Sequence, residues 1–160
     1  MKCVSGQQPL AYELRRDGGN CLLILTENVE TKSVALEGEE ESLTEYSFDR
    51  YEITVPYRET LEQDVAKEPV KWLNMAKQKE IEKLSADIRK KRNILLTETD
   101  NAFCIDRIFN DLSNVSATSF TEKIKELSES EMATYRQALR DIPKQEGFPY
   151  SVDWPTKPQQ

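Results

Sequence analysis

The stretch that decides the fold is Leu10–Leu25, which reads LAYELRRDGGNCLLIL. Every second residue from Leu10 to Leu14 is apolar, and this period of two is typical of a half-buried β-strand. The residues Asp17–Asn20 that follow are of types that tolerate positive φ, so they favour a tight turn. Cys21–Leu25 is uniformly apolar and predicts a second strand. The stretch as a whole therefore predicts a β-hairpin.

Further strands are expected downstream of the hairpin. Ser33–Leu36 predicts a weaker strand, and the acidic run at 37–41 predicts a solvated turn. The alternation of apolar residues then changes phase, with Tyr46 and Phe48 on one face of a strand and 51, 53 and 55 on the other. This change of phase near Asp49-Arg50 predicts a bulge or a turn between two strands.

The middle of the chain has a helical period. Leu61 and Val65 suggest a short helix, and Pro69 suits the first turn of the next one. No glycine or proline occurs from Val70 to Cys104. Six apolar residues of this stretch form one narrow seam: Trp72, Leu73, Ala76, Leu84, Ile88 and Leu95. Ile81 is offset to one side of it. We expect a long, largely exposed helix whose seam packs against a neighbour, with Trp72 in the core.

The last third predicts short helices and an extended end. A break is expected at 97–101, followed by a helix with apolar residues from Phe103 to Leu112. Capping boxes are predicted at Ser119 with Glu122 and at Ser128 with Glu131, and Pro143 stops the second helix. From Gly147 the chain is rich in proline and alternates apolar with other residues, which predicts a strand-like strip with four residues on one face: Phe148, Tyr150, Val152 and Trp154.

These elements predict an α+β protein. A small antiparallel β-domain is expected at residues 1–57, a connecting long helix at 58–88 and a helical module with an extended, proline-rich C-terminal segment at 89–160. No internal repeat is present.

The composition argues against most enzyme classes. The chain has no histidine, which is the commonest general base near neutral pH and the commonest metal ligand. No glycine-rich phosphate-binding motif occurs. Cys3, Cys21 and Cys104 are scattered, which favours reduced thiols over a disulfide framework or a zinc site. We predict no catalytic, cofactor-binding or metal-binding residue, although carboxylates such as Asp100 and Asp106 leave a two-carboxylate or Mg²⁺ site open.

The charge limits the kind of partner. With 29 acidic and 22 basic residues the net charge is -7, which disfavours binding to nucleic acid and to anionic membranes. The longest apolar run, Cys21–Leu25, is too short to cross a bilayer, and the N-terminus lacks the apolar core of a signal peptide. The basic cluster Arg89–Arg92 is either the solvated side of a helix or a contact for an acidic partner. These observations favour a soluble intracellular protein that acts by binding proteins.

Two motifs resemble a known family. RNILLTETD at Arg92–Asp100 and YRQALRDIPKQEGFPYSVDWPTKP at Tyr135–Pro158 are similar to the signature of the phage tail assembly chaperone family. The resemblance covers the chain from Arg89 onward and leaves the β-rich part uncovered. Two features differ from the family pattern: Asn101 stands where tryptophan is common, and the link between the motifs, 102–129, is longer and helical.

The resemblance implies a chaperone-like protein, not an enzyme, that binds a phage tail or tail-fibre protein in the host cytoplasm during virion assembly. The alternative is a structural protein of the virion tail, baseplate or fibre attachment that has the same module. Homo-oligomerisation is also left open. The C-terminal strip is either pinned across its own helices or docks a partner.

Within the module, Arg136 and Arg140 lie at i and i+4, and we expect one of them to reach an acidic group such as Asp100. Six residues are predicted to form a protein interface: Tyr135, Arg136, Arg140, Phe148, Tyr150 and Trp154.

Overall fold

The computed structural model describes residues 2–35, 42–100, 104, 112 and 116–158. An antiparallel sheet comes first and helices follow, so the predicted α+β class is confirmed. The chain divides into two compact units, Met1–Glu82 and Lys83–Gln160. No helix among the described residues is long and apolar enough to cross a membrane. The predicted three-part division of the chain stays a prediction.

The N-terminal unit contains a four-stranded antiparallel sheet in the order β1-β4-β3-β2. Its strands are β1 Lys2–Ser5, β2 Tyr12–Asp17, β3 Asn20–Ala35 and β4 Ser42–Pro56. The predicted hairpin is present: β2 pairs with β3 from Tyr12↔Leu25 to Asp17↔Asn20, and Gly18 has a φ of 58° in the turn. A glycine suits that position because it has no Cβ to clash at positive φ.

The downstream strands differ from the prediction in two ways. Cys21–Leu25 and the start of Ser33–Leu36 belong to the single strand β3; Leu36 and the predicted acidic turn lie outside the described residues. The strand β4 is continuous through Asp49-Arg50, and the register shift is in β3, between Glu27 and Glu30. Of the two alternatives, the turn is therefore wrong, and the bulge is present in the pairing opposite Asp49 with its extra residue in β3 rather than in β4. Apolar residues occupy both faces of β4, one face before Asp49 and the other after it. In the sequence this pattern resembles a change in the phase of the strand.

The core of the N-terminal unit lies between the sheet and two helices, α1 Leu61–Lys67 and the first part of α2 Pro69–Thr97. Pro69 is the first residue of α2, as predicted. The buried residues of this core are Cys21, Leu23, Leu25, Ile53, Leu61, Val65, Trp72 and Ala76. Trp72 is 7% exposed, and its indole N–H donates to the carbonyl oxygen of Asp64 at 3.3 Å. Its predicted place in the core is confirmed.

The C-terminal unit contains the rest of α2, then α3 Ala117–Ser128, α4 Glu131–Asp141 and a 3₁₀ helix Ile142–Lys144. The break after α2 is at the expected place. The predicted helix from Phe103 to Leu112 falls almost wholly on residues that are not described.

Both predicted capping boxes are wrong in position. The N-cap of α3 is Ser116, whose hydroxyl accepts from the Ser119 N–H at 3.1 Å. The N-cap of α4 is Ser130, which accepts from the Ala133 N–H at 3.2 Å. Ser119 lies within α3 and Ser128 is its last residue, and only the path of the backbone decides which serine has the extended conformation of an N-cap.

Candidate functional site

The candidate site is the helical module that ends in the proline-rich segment 145–158. Its core consists of Tyr135, Leu139 and Ile142, which come from α4 and the 3₁₀ helix. Seven partly buried residues pack around them: Ile88, Leu95, Leu96, Met132, Phe148, Val152 and Trp154. The second half of α2, α4 and the C-terminal segment thus share one apolar cluster, which holds the segment in place by burial.

Arg136 binds the end of α2. Its Nη1 donates to the Leu96 carbonyl oxygen at 2.8 Å and also to Thr99 Oγ1. The Thr99 hydroxyl donates to the same Leu96 oxygen at 2.8 Å, and Thr99 is only 3% exposed. The Leu96 oxygen also accepts from the Thr99 N–H at 3.1 Å, so the guanidinium is a further donor at this carbonyl, and its positive charge complements the negative end of the helix dipole.

Arg136 also pairs with Asp100. Its Nη2 donates to Asp100 Oδ1 at 2.8 Å, as the i, i+4 pattern of arginines led us to expect for one of the two. The side chain of Arg136 is 11% exposed, whereas that of Asp100 is 60% exposed. Solvent screens the carboxylate, so we expect the buried bonds to Leu96 and Thr99 to contribute more than the ion pair.

Gln145, the first residue of the C-terminal segment, is joined to Asp153 further along it through paired hydrogen bonds. Its Nε2 donates to the Asp153 carbonyl oxygen at 2.9 Å, and its Oε1 accepts from the Asp153 N–H at 2.9 Å. The side-chain amide therefore satisfies both backbone groups of one residue, as a neighbouring strand would.

The backbone makes a close turn between Gln145 and Asp153. The Ser151 N–H donates to the Gly147 carbonyl oxygen at 2.7 Å. A Cβ built on Gly147 would lie 2.7 Å from the Ser151 carbonyl oxygen and 2.9 Å from Ser151 Cβ. Only glycine fits this approach without movement of the backbone.

The turn changes which side chains face the helices. Phe148, Val152 and Trp154 pack on the core cluster, but Tyr150 is 62% exposed and Pro149 is buried in its place. The predicted strand-like alternation is therefore wrong at Tyr150. It assumed an extended chain, whereas the backbone turns at 147–151.

Two cations of the basic cluster contact aromatic rings of the segment. The Arg89 guanidinium lies 5.5 Å from the centroid of Phe148, and Lys91 Nζ lies 4.3 Å from the centroid of Trp154. Both distances suit a cation–π interaction. Half of the cluster Arg89–Arg92 thus helps to hold the segment, a role the sequence did not suggest.

The six predicted interface residues fall into two groups. Tyr135 is 5% exposed, and its burial, together with the nearby Glu98 carboxylate, raises the pKa of its phenol. Arg136, Phe148 and Trp154 take part in the internal contacts described above. Arg140 and Tyr150 are exposed. Sequence reasoning did not single out Thr99 or Gln145 as contact residues, although both belong to the quoted motifs.

The described part of the chain contains no group of three or more histidine, cysteine or acidic residues placed to hold a metal ion. The arrangement of the C-terminal unit defines its class: a small helical module whose charged and aromatic residues fix a turned C-terminal segment to two helices.

The comparisons with known proteins identify this module. Residues 85–159 match the model of the family described as phage tail assembly chaperone protein, so the resemblance of the C-terminal module is confirmed. The match covers a little under half of the 160 residues. It supports a role in phage tail assembly and points to a non-enzymatic protein. Neither a curated protein nor a solved structure gave a significant match.

Proposed function

We propose that the chain is a phage tail assembly chaperone-like protein that binds a tail or tail-fibre protein through its C-terminal module in the host cytoplasm. One observation supports this most directly: the family match at residues 85–159 begins almost where the C-terminal compact unit begins, at Lys83. The matched part has its own apolar cluster, so it is suited to act as a binding module.

Within that module we propose Tyr150 and Arg140 as the residues that touch the partner. Tyr150 is 62% exposed and stands in the turn closed by Gly147 and Ser151. Tyrosine and arginine are enriched among residues that dominate binding energy. A tyrosine presented on a fixed turn loses little conformational entropy on binding. The other predicted interface residues then act by holding this surface in shape.

Co-purification from infected or induced cells tests the proposal. We expect the tagged protein to capture a tail component, and Tyr150→Ala and Arg140→Ala to reduce the captured amount at least about tenfold when each removes about 1.4 kcal/mol of binding energy. Lys125→Ala, an exposed change on α3, is the matched control and should bind like the wild type. Capture of no tail component would contradict the proposal, and capture unaffected by both variants would remove these two residues from the interface.

A second candidate is a permanent protein of the tail, baseplate or fibre attachment. The N-terminal unit favours it, because this unit has its own core and lies outside the family match. Purified tails discriminate between the two. A chaperone should be missing from finished particles, whereas a structural protein should be present in a fixed copy number.

A further inference from the structure

An open groove lies along the exposed face of the second half of α2, within the C-terminal unit. We call it the α2 groove, and its volume is about 640 Å³. Its lining residues recur three and four apart from Ala86 to Glu98, so they lie on one side of the helix. All of them are exposed.

The middle of the α2 groove is apolar. Ile94 is 53% exposed there, and Ala86 lies about two turns before it. The neutral polar side chains beside Ile94 already have partners on α2: the Thr97 hydroxyl donates to the Asn93 carbonyl oxygen at 3.0 Å, and Asn93 Oδ1 accepts from Arg92 at 2.8 Å. A bound molecule therefore gains most from apolar contact with Ile94.

One end of the α2 groove is positively charged. Arg89 contacts the ring of Phe148 at 5.5 Å, and Lys90 is exposed. In the part of the chain that the structure describes, neither cation forms an ion pair with a carboxylate. At the other end, Glu98 is paired with Lys157 at 3.7 Å. Two cations beside an apolar surface complement a partner that is both apolar and acidic.

The acidic character of the chain is not shared by the unit that contains this groove. Of the 22 basic and 29 acidic residues, 12 of each lie in Lys83–Gln160, which leaves 10 basic and 17 acidic residues in Met1–Glu82. The whole net charge of -7 therefore belongs to the N-terminal unit. An acidic partner meets a neutral unit with two unpaired cations at the groove, so it is attracted there.

The shape of the α2 groove favours a helix over a small molecule. Among the described residues, only α2 and the turn after it line the groove, so no second wall encloses a small ligand as a binding pocket would. From Ala86 to Glu98 it is about 18 Å long at about 1.5 Å per residue. This length matches about three turns of a second helix, whose apolar ridge would pack beside Ile94.

We propose that the α2 groove binds an acidic amphipathic helix of the tail protein, with carboxylates at Arg89 and Lys90 and apolar side chains on Ile94. This inference rests on the proposed function, to which it adds the chemistry of the partner and its place on the chain. The groove lies within the family match at 85–159. Through Arg89 and Phe148 it adjoins the C-terminal segment, which also contains the proposed contact residue Tyr150.

Site-specific cross-linking identifies what occupies the groove. A photo-cross-linking amino acid placed at Ile94 of the tagged full chain should form an adduct with a tail component in infected or induced cells. Mass spectrometry should locate the adduct in a segment with apolar residues three and four apart and several acidic residues. The same amino acid at Val70, an exposed residue of α2 outside the groove, is the control and should give no such adduct.

The other possible occupants of the groove are distinguishable in the same experiment. An adduct at Ile94 only within the chain, with a second copy or with nucleic acid overturns the proposal. The absence of any adduct overturns it too, when the tagged wild type captures a tail component.

Charge reversal tests the acidic character of the partner. With the purified tail component, Lys90→Glu should weaken binding at least about tenfold at about 50 mM salt, and by less at about 500 mM, because salt screens exposed charges. Lys125→Glu makes the same change in net charge at an exposed residue of α3 and should bind like the wild type. Circular dichroism checks that both variants stay folded.

A neutral variant tests the apolar contact. Ile94→Gln retains a good helix former and should also weaken binding about tenfold, whereas Val70→Gln, the matched control, should not. If the wild type captures no tail component, the proposed function fails and this inference fails with it. If the wild type captures one, and Lys90→Glu and Ile94→Gln bind it as well as their controls do, only the assignment of the α2 groove is wrong.

Discussion

Single residues of the C-terminal module each join two elements. Arg136 brings α4 to the end of α2 through Leu96 and Thr99. Gln145 ties the 3₁₀ turn to Asp153, and Gly147 permits the turn that buries Pro149. Loss of Arg136 affects contacts between elements that are distant in the sequence, whereas loss of Gln145 or Gly147 affects the local path of the C-terminal segment.

Arg136→Ala should destabilise the module by about 2–4 kcal/mol, because it leaves buried acceptors without their charged donor. Asp100→Ala should cost less than about 1 kcal/mol, since its carboxylate is solvated. Arg140→Ala, one turn away and exposed, is the control and should change stability by no more than about 0.5 kcal/mol.

Urea unfolding followed by Trp154 fluorescence measures these differences. The chain has two tryptophans, and Trp72 lies in the other unit, so a Trp72→Phe background restricts the signal to the module. Equal losses for Arg136→Ala and Arg140→Ala would show that the buried network is not what stabilises α4.

Gly147→Ala should cost about 1–3 kcal/mol, because the added methyl group overlaps Ser151 and the backbone must move. Gly19→Ala adds the same group where no atom lies within 4 Å, and it should be neutral or slightly stabilising. The same fluorescence assay applies to Gly147→Ala, and circular dichroism melting applies to Gly19→Ala. A wild-type stability for Gly147→Ala would mean that the turn adapts without cost.

At the scale of elements, α2 is joined to strand β3 of the N-terminal unit by an ion pair. Lys77 of α2 forms an ion pair with Glu27 of β3, and its Nζ lies 5.3 Å from the centroid of the Tyr51 ring. Burial, with further contributions from Glu27, Asp49 and Glu80, raises the pKa of Tyr51 to about 12. The folded state therefore favours the neutral phenol.

This shift predicts a loss of stability in alkali. The pKa of Tyr51 is higher in the folded state than in the unfolded state, where it is about 10. The neutral phenol therefore contributes to the free energy of unfolding in full below about pH 10, and this contribution is lost as the pH rises towards about 12. Urea midpoints between pH 8 and 11.5 should fall more steeply for the wild type than for Tyr51→Phe. Parallel curves for the two proteins would contradict the predicted linkage.

The C-terminal segment is an element held by three kinds of contact. Its apolar side chains are buried on the core cluster, two of its aromatic rings contact Arg89 and Lys91 of α2, and its own fold is closed by the hydrogen bonds between Gln145 and Asp153. Because Tyr135 and Leu139 would lose part of their cover, deletion of residues 148–160 should unfold the helices of the module or abolish partner capture.

Circular dichroism and co-purification measure the effect of this deletion. Deletion of residues 156–160 alone retains Trp154 and should leave both properties intact, so it serves as the control. A 148–160 deletion that stays helical and still binds would make the segment dispensable.

At the scale of the whole molecule, each compact unit has its own buried cluster. The family match falls in the second unit. We therefore expect a fragment of residues 83–160 to fold alone, with the same urea midpoint that Trp154 reports in the full chain. A fragment with the circular dichroism spectrum of an unfolded chain would show that the module needs the N-terminal unit.

The sequence by itself determined the class of fold, the first hairpin, the start of α2 at Pro69, the core position of Trp72 and the family of the C-terminal module. Periodicity, turn residues and motifs are local properties, so a single chain contains them in full. Only the tertiary structure decided that the bulge lies in β3, that Ser116 and Ser130 are the N-caps, and that Arg136 binds Thr99 and Asp100 while Arg140 stays exposed. It also decided that Pro149 is buried and Tyr150 is not. These outcomes depend on pairing and packing between distant segments, where several residues compete for one place and the geometry of the neighbour selects among them.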